Sequence, residues 1–337
     1  MAQVMHAWQY NSTSPTLEAN LHLNTSAPKP SISDNQVLVQ VHFAALNPVD
    51  YKVTEGPLPL RLIGSNLIPG ADFSGVISAI GSNITDLSIG DHVFGAKLLS
   101  FVNGSLAQYI AVSRAQVARL PGGVELQDAA GIPLVGLTEY QAIAPYVKAG
   151  DKVFVNGGSG GTGAHGVQIA KALGCHVTAT CSTGNVEFVK ELGADDVLDY
   201  KSVDVVEVLK GKGKVFKLVV DNIGSPLGLY KASHTFLVPG GNFVQVGGSI
   251  SFSGLKQVTT NMLLPSMLGG GKSSFKMLAA QPDQQHLEQF AQWMKEGKLK
   301  AVTDSLFAWQ EAPKGFERLK TGRARGKVVV RVEQAKV

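Results

Sequence analysis

The 337-residue sequence predicts an α/β protein in which a doubly wound parallel sheet is inserted into a β-rich domain. Three observations carry that expectation. From residue 129 onward, short apolar strands and helical patterns take turns, the rhythm of a parallel sheet covered by helices on both faces. Before residue 129 and after residue 265, short alternating segments with Gly and Pro punctuation read as a mixed, β-rich module. Between them residues 153–163 read VFVNGGSGGTG, an apolar strand that runs straight into glycines and then into a helical pattern. The N- and C-terminal parts are therefore expected to form one domain, residues 1–128 with 269–337, and residues 129–268 the other.

In the first part, residues 37–44 alternate with the period of a strand, and further strands are expected at 75–80, 92–94 and 107–112. The rhythm then changes to a helix near 137–144, strand 152–156, helix 164–173, strand 176–180 and helix 186–192. Later strands are expected at 218–221 and 242–246. The closing part adds a helix at 284–295, a strand near 302–307, a helix at 309–319 and a terminal strand at 327–332.

Composition narrows the class. With 44% hydrophobic and 17% charged residues the chain can bury large cores, which excludes disorder. The formal net charge is +4, but lysines and arginines are spread along the chain, so nucleic-acid binding is not expected. The two cysteines, Cys175 and Cys181, lie on one expected strand, about 20 Å apart at the usual strand rise. They cannot pair with each other, which fits a reducing, cytoplasmic location. No apolar run approaches the length of a membrane helix, and residues 1–13 show neither a secretory leader nor an Arg-rich transit pattern. Without a leader, the glycosylation sequons at Asn11, Asn24, Asn83 and Asn103 read as accidents of composition.

Gly158, Gly160 and Gly163 fill a G-x-G-x-x-G frame: one glycine for the tight turn, one to let the backbone approach a pyrophosphate, one to pack helix on strand. Ser159, Gly161 and Thr162 complete the expected cradle, and the helix start offers unpaired amides with a partial positive charge. Among 38 glycines such a frame alone is a weak signal, but the strand before it, the helix after it and the strand at 176–180 supply the βαβ context of a dinucleotide site. NAD sites place an acid on the ribose about 20 positions past the glycines. Here that turn reads Cys181, Ser182, Thr183, Gly184, Asn185. It holds no acid to repel a 2′-phosphate and offers hydroxyls and an amide to bind one, so NADPH is the expected cofactor, with charge supplied from elsewhere, such as Lys201. The alternative is that Ser182 and Thr183 cap the next helix. The loop lacks the Lys of a P-loop, and the chain lacks a G-x-S-x-G elbow for a catalytic triad.

Seven pieces, in this order and spacing, resemble the medium-chain dehydrogenases/reductases, and among them the zinc-less quinone oxidoreductases. They are LNPVDYK at 46–52, PGADFSGVI at 69–77, GDHVFG at 90–95, LVGLTEYQA at 134–142, the glycine loop, LGADDVLDY at 192–200 and ARGKVVV at 324–330. The opening MHAWQYN and the stretch VTATCSTGNVEFVKELGAD are most similar to plant chloroplast-envelope quinone oxidoreductase homologues and alkenal/enone reductases, with fungal trans-acting enoyl reductases a more distant likeness. The resemblance implies a Rossmann cofactor domain inserted into a GroES-like catalytic domain, and a homodimer. A strand at 243–246, followed by apolar residues 250–252, is the expected pairing edge.

Zinc alcohol dehydrogenases of that superfamily hold their metal with a Cys, a His and a nearby acid. Here the corresponding positions carry Asn47 and the pair Ala71-Asp72, no cysteine precedes Cys175, and no histidine pairs with another ligand at zinc-motif spacing. No metal is expected. Without a Lewis acid an alkoxide is poorly stabilised, so a quinone or a conjugated enone is the expected substrate. The resemblance sets Thr138 beside the nicotinamide and Asn47, Tyr51 and Lys52 along the cleft wall, with Tyr51 or Lys52 orienting a carbonyl or relaying a proton. Asp50 is equally a capping carboxylate, and an isolated Thr138 equally a helix cap. The expected cofactor set extends to Tyr200, Asn222, Val246, Gly247 and Lys327, and residues 267–276 read as a mobile cover or as an interdomain linker. Two alternatives stand beside the quinone or enone reductase: a trans-acting enoyl reductase of a biosynthetic pathway, and a non-catalytic NADPH-binding protein of a crystallin-like or RNA-binding kind.

Overall fold

The computed structural model describes residues 3–56, 64–98, 102–224, 228–248, 258–261 and 271–334. Two compact units emerge, Met1–Leu137 with Gln281–Val337, and Thr138–Ala280. The divisions fall later than the sequence placed them.

In the first unit an antiparallel pair opens the chain, β1 (Val4–Gln9) and β2 (His22–Pro28), joined through the short helix α1 (Leu17–Asn20). Sequence alternation is too weak there to announce it. The larger sheet contains β3 (Gln36–Leu46), β4 (Asp72–Ile80), β5 (His92–Ala96), β6 (Tyr109–Ser113) and β7 (Val117–Arg119). The eleven-residue β3 is its spine. One edge of it carries β4; the other is shared, with β6 along Gln36–Gln40 and the C-terminal strand Lys327–Arg331 along Phe43–Leu46. An early strand and the C-terminal strand thus meet in one sheet because β3 is long enough to pair with both β6 and Lys327–Arg331. Register then does something specific: Ala45 stands opposite Asp72 and Leu46 opposite Val328, so Asn47, Asp72 and Lys327 arrive side by side at one end.

Inward-facing Val37, Val39, Val41, Phe73, Ile77, Val328 and Val330 are fully buried in this unit, each worth about 1.5–3 kcal/mol. The indole of Trp8 packs edge-on to Trp309, 6.2 Å between ring centroids, and its Nε1 donates to the Trp309 carbonyl at 3.0 Å. The short helices α2 (Pro48–Lys52) and α3 (Leu126–Ala129) leave the sheet ends, and α4 (Pro133–Ile143) leads into the second unit.

That unit is a parallel sheet of β8 (Lys152–Asn156), β9 (His176–Cys181), β10 (Asp196–Asp199), β11 (Phe216–Asp221), β12 (Leu237–Gln245) and β13 (Ser274–Met277). Their order is β10-β9-β8-β11-β12-β13, all pairs parallel. Helices α5 (Gly161–Ala172), α6 (Val186–Glu191), α7 (Val205–Lys212) and α8 (Gly228–Ala232) connect them. The order reverses between β8 and β11, the switch point beside which open α/β sheets take their ligands. Phe154, Phe216, Phe236 and Phe243 form one buried cluster under the sheet.

Three sequence expectations need correction here. The segment 243–246 is not an edge: β12 is flanked by β11 and β13, so a partner chain would meet β10 or β13 instead. Residues 274–276 of the expected mobile cover belong to strand β13, while 267–270 of that cover, and the apolar residues 250–252, lie outside the described residues. Helix α5 begins at Gly161 rather than 164, because Gly160 stays extended at its N-cap and the glycines after it join the first turn.

Candidate active site

At the C-terminal edge of the parallel sheet, main chain does most of the work. The residue that turns the corner after β8 is Gly157, with φ +84°, not Gly158, Gly160 or Gly163 of the sequence frame. Gly163 does have the expected packing role: a Cβ there would stand 2.3 Å from the Gly157 carbonyl oxygen. Gly158 lies against Ala179, while a Cβ on Gly160 would meet nothing nearer than 3.6 Å. Space is therefore left open at the helix mouth, where the first amides of α5 have no partners within the helix. A dinucleotide pyrophosphate fits this cradle.

The loop is tied to its neighbours. Gly157 and Gly158 donate their amides to Oγ1 and the carbonyl of Thr180, each at 2.8 Å, and Thr180 Oγ1 donates to Asn156 Oδ1 at 2.6 Å. Asn156 Nδ2 donates across the switch point to Asp221, 2.8 Å, and the Asp221 carbonyl accepts the amides of Val246 and Gly247 at 2.9 and 3.1 Å. Val246 and Gly247 thus follow β12 on the same sheet edge as Asn222, which follows β11.

Ser182, Asn185 and Ser159 come together, with Asn185 Nδ2 donating to both serine hydroxyls at 3.2 Å. The turn itself is acid-free, but an acid reaches it from the next strand. Asp199, at the end of the neighbouring strand β10, accepts the Thr183 hydroxyl at 2.7 Å, and also takes the Ser202 hydroxyl and the Lys201 amide at 2.6 and 2.9 Å. The Ser202 and Thr183 hydrogen bonds hold this carboxylate below its usual range. Linear distance hid the acid: it lies 16 positions from Thr183 and reaches it only because β10 pairs in parallel with β9, Asp199 opposite Cys181. Tyr200 beside it is 51% exposed, its ring 5.5 Å from the Lys201 ammonium.

In the first unit the register described above gathers Asn47, Asp72 and Lys327. All three are buried, Lys327 at 3% exposure. The Lys327 ammonium donates to Asn47 Oδ1 and, at 3.1 Å, to Asp72; Asn47 Nδ2 donates to the same carboxylate at 2.9 Å. The other Asp72 oxygen accepts the Leu134 amide at 2.8 Å. Lys327, expected among the cofactor residues, is thus engaged inside this unit. Asp50 is also buried and accepts the Asn47 amide at 2.7 Å, the capping carboxylate that the sequence allowed. Burial raises both acids, Asp50 to about 7, against the opposing pull of their hydrogen bonds and of Lys327. Among the described residues no three His, Cys, Asp or Glu side chains gather as a metal would need. Where the superfamily's zinc ligands would begin, an ammonium and an amide sit on a carboxylate.

Asn47 follows β3 directly and caps α2, and Pro48 opens that helix, so the chain turns from strand to helix at once and presents Tyr51 and Lys52. The two differ. The Tyr51 ring packs on the unit's core and lies 5.0 Å from the Lys320 ammonium, itself bound by Glu18 and Glu55. Burial pushes the Tyr51 hydroxyl up and the Lys52 ammonium down. Lys52 therefore gives up a proton more readily than an exposed lysine, and Tyr51 less readily than an exposed tyrosine. Thr138 lies in the interior of α4, half-buried, so the capping alternative is excluded. The structure brings Asn47 and Lys327 together in one unit, with Tyr51 and Lys52 on the helix that Asn47 caps. In the other it gathers the glycine loop, Ser182, Thr183, Asn185 and Tyr200, with Asn222, Val246 and Gly247 along the same edge.

Comparison with known proteins fits this geometry. Residues 33–122 match the alcohol dehydrogenase GroES-like domain, and residues 192–330 the zinc-binding dehydrogenase family. The chain is 44% identical over 347 residues to trans-enoyl reductase pgmF of Aspergillus terreus, covering 98% of this chain and 97% of that protein. This chain belongs to the medium-chain dehydrogenase/reductase superfamily. It is 31% identical over 342 residues to the chloroplast envelope quinone oxidoreductase homolog of Arabidopsis thaliana, covering 97% and 98% of the two chains. A quinone oxidoreductase structure from Coxiella burnetii superposes with a TM-score of 0.82 at 29% identity, covering 98% and 99%. The sequence ranked fungal trans-enoyl reductases behind the plant proteins; at 44% against 31% that ranking is reversed. The protein is an oxidoreductase of a superfamily that works with a nicotinamide dinucleotide, and its parallel-sheet unit and β-rich GroES-like unit are that superfamily's two domains.

Proposed function

We propose that the protein is an NADPH-dependent, zinc-independent reductase of α,β-unsaturated carbonyl compounds, of the trans-enoyl reductase kind. Full-length identity of 44% to a trans-enoyl reductase carries the substrate class. The buried Lys327 ammonium on Asn47 and Asp72 supports zinc independence, since it puts a fixed positive charge where a metal would otherwise be bound. When bound, the cofactor supplies the hydride. The α5 amides and the glycine loop hold its pyrophosphate, Ser182, Asn185, Tyr200 and Lys201 its 2′-phosphate, and Asn222, Val246 and Gly247 its nicotinamide end, with Thr138 beside the ring. Lys52 hydrogen bonds the substrate carbonyl and delivers the proton; Tyr51 lines the wall. Lys327 leaves the cofactor set and becomes the fastening of α2. A cytoplasmic homodimer belongs to the same proposal; no described helix is long and apolar enough to cross a membrane.

Quinone reduction is the second reading, favoured by the Arabidopsis and Coxiella relatives. A steady-state panel of a trans-2-enoyl thioester, a 2-alkenal, an enone, 1,4-benzoquinone and 9,10-phenanthrenequinone, each with NADPH and NADH, decides between them. The highest kcat/KM with a conjugated carbonyl supports the proposal, and the highest with a quinone replaces it. Tight cofactor binding without turnover on any acceptor makes the protein a binding module. Lys52→Ala should cut kcat/KM for the enone by about 10²- to 10⁴-fold and for the quinone by less, because a quinone can take its proton from solvent after hydride arrives. Unchanged values for both would assign the proton to water.

A further inference from the structure

Glu139 stands next to Thr138 on α4 and is fully buried. Its carboxyl rests on α5 so closely that a Cβ at Gly166 would come within 2.4 Å of Oε2. Among the described residues it forms no ion pair, and neither carboxyl oxygen completes a hydrogen bond of ordinary geometry. The amide that adjoins it, that of Asn222, is in the same state: Nδ2 and Oδ1 are both buried and unsatisfied. A buried carboxyl that keeps its proton can donate it to the oxygen of a buried amide in contact with it, an arrangement that carries no charge and leaves the amide nitrogen open.

Resting on the nicotinamide-cofactor reading, we propose that Glu139 is a positioning residue which, as the neutral acid, donates to Asn222 Oδ1 and leaves Asn222 Nδ2 to donate to the cofactor. Asn222 follows β11 at the switch point, where its backbone N–H donates to the Asn156 carbonyl at 3.3 Å, so its main chain is held while its side-chain amide is oriented by its own neighbours. Ionised Glu139 demands the reverse orientation, since a carboxylate only accepts and would turn Nδ2 toward itself. Burial raises the Glu139 acid to about 8, opposed by the Asn222 amide. The titratable groups on the elements around it have partners of their own. On α5 the His165 ring Nδ1 lies 2.7 Å from the Gly161 carbonyl and Lys171 pairs with Asp195 at 2.9 Å. On β11 Asp221 accepts from Asn156, and Lys217 donates to the Gly240 carbonyl at 3.4 Å. Tyr140 follows Glu139 on α4 and is also engaged.

The test is the dissociation constant of NADH and of NADPH, by nicotinamide fluorescence, between pH 6.5 and 9.5 in wild type, Glu139→Gln and Glu139→Leu. Wild type should lose roughly five- to tenfold in affinity for both cofactors across pH 8, the worth of about one hydrogen bond. Glu139→Gln, whose amide donates at every pH, should show no such loss. Glu139→Leu should be weak throughout, and the glutamine variant should restore what leucine removes. A pH profile shared by wild type and Glu139→Gln, or a flat wild-type profile, overturns the role of Glu139 while leaving the cofactor site intact. Absence of binding of either cofactor to wild type at pH 7 overturns the cofactor reading itself, and this proposal with it.

Discussion

Two buried carboxylates, Asp72 and Glu139, are each fully enclosed, and they are handled in opposite ways. Asp72 draws partners from three separate stretches of chain and is met by an ammonium, a carboxamide and a main-chain amide. Among the described residues Glu139 has a carboxamide as its one polar neighbour; burial raises both acids, Glu139 to about 8. The same contrast runs through the regions around them. The Lys327 cluster is made of side chains and fixes a helix, whereas the glycine loop is made of main chain and leaves room at a helix mouth. A side-chain site fails when a partner is removed; a main-chain site fails when a side chain is added. Four substitutions test that difference, beginning with the one expected to cost most.

Lys327→Met should strand Asp72 and Asn47 in the interior and destabilise the protein by about 3–5 kcal/mol, read from the urea midpoint. A midpoint within experimental error of wild type would mean that the ammonium does not hold the cluster together. Gly163→Ala comes next, because its methyl would meet the Gly157 carbonyl at 2.3 Å. A loss of about 1–3 kcal/mol in stability is expected, together with weaker cofactor binding. Gly160→Ala should lose cofactor affinity alone, since its methyl meets no protein atom within 3.5 Å. Equal effects of the two alanines on thermal stability would contradict the division of roles between these glycines. The smallest effect belongs to Asp199→Asn. Removing this half-buried charge beside Thr183 should tighten NADPH roughly two- to fivefold relative to NADH, in side-by-side titrations at low salt. No change in the ratio would place Asp199 outside the field of the 2′-phosphate.

The relative legibility of the two regions follows from the same contrast. The parallel-sheet unit was readable because its strands and helices are local patterns: the strand Lys152–Asn156 falls where periodicity placed it. The glycine frame was readable as well, although the turn glycine was misassigned, because Gly157 precedes the G-x-G-x-x-G and only its φ of +84° reveals its role. The β1–β2 pair was not readable, since β1 is buried along most of its length and β2 is mostly open, so neither alternates. Asp199 was missed for a different reason: a parallel neighbour strand delivers it, and spacing along the chain cannot show that.

By itself, then, the sequence determined the fold class, the dinucleotide loop, the absence of cysteine and histidine at zinc-ligand positions, and the resemblance to the superfamily. These depend on residues close together in the chain or on the identity of single residues. The tertiary structure alone decided that Lys327 belongs with Asn47 and Asp72, that Asp199 stands at the Ser182–Asn185 turn, and that Glu139 and Asn222 share one buried contact. Each of these is a meeting of strand ends or helix faces brought into register by pairing partners 16 to 280 residues away. The physical reason is that hydrophobic periodicity records which face of an element is buried, but not which polar group it is buried against.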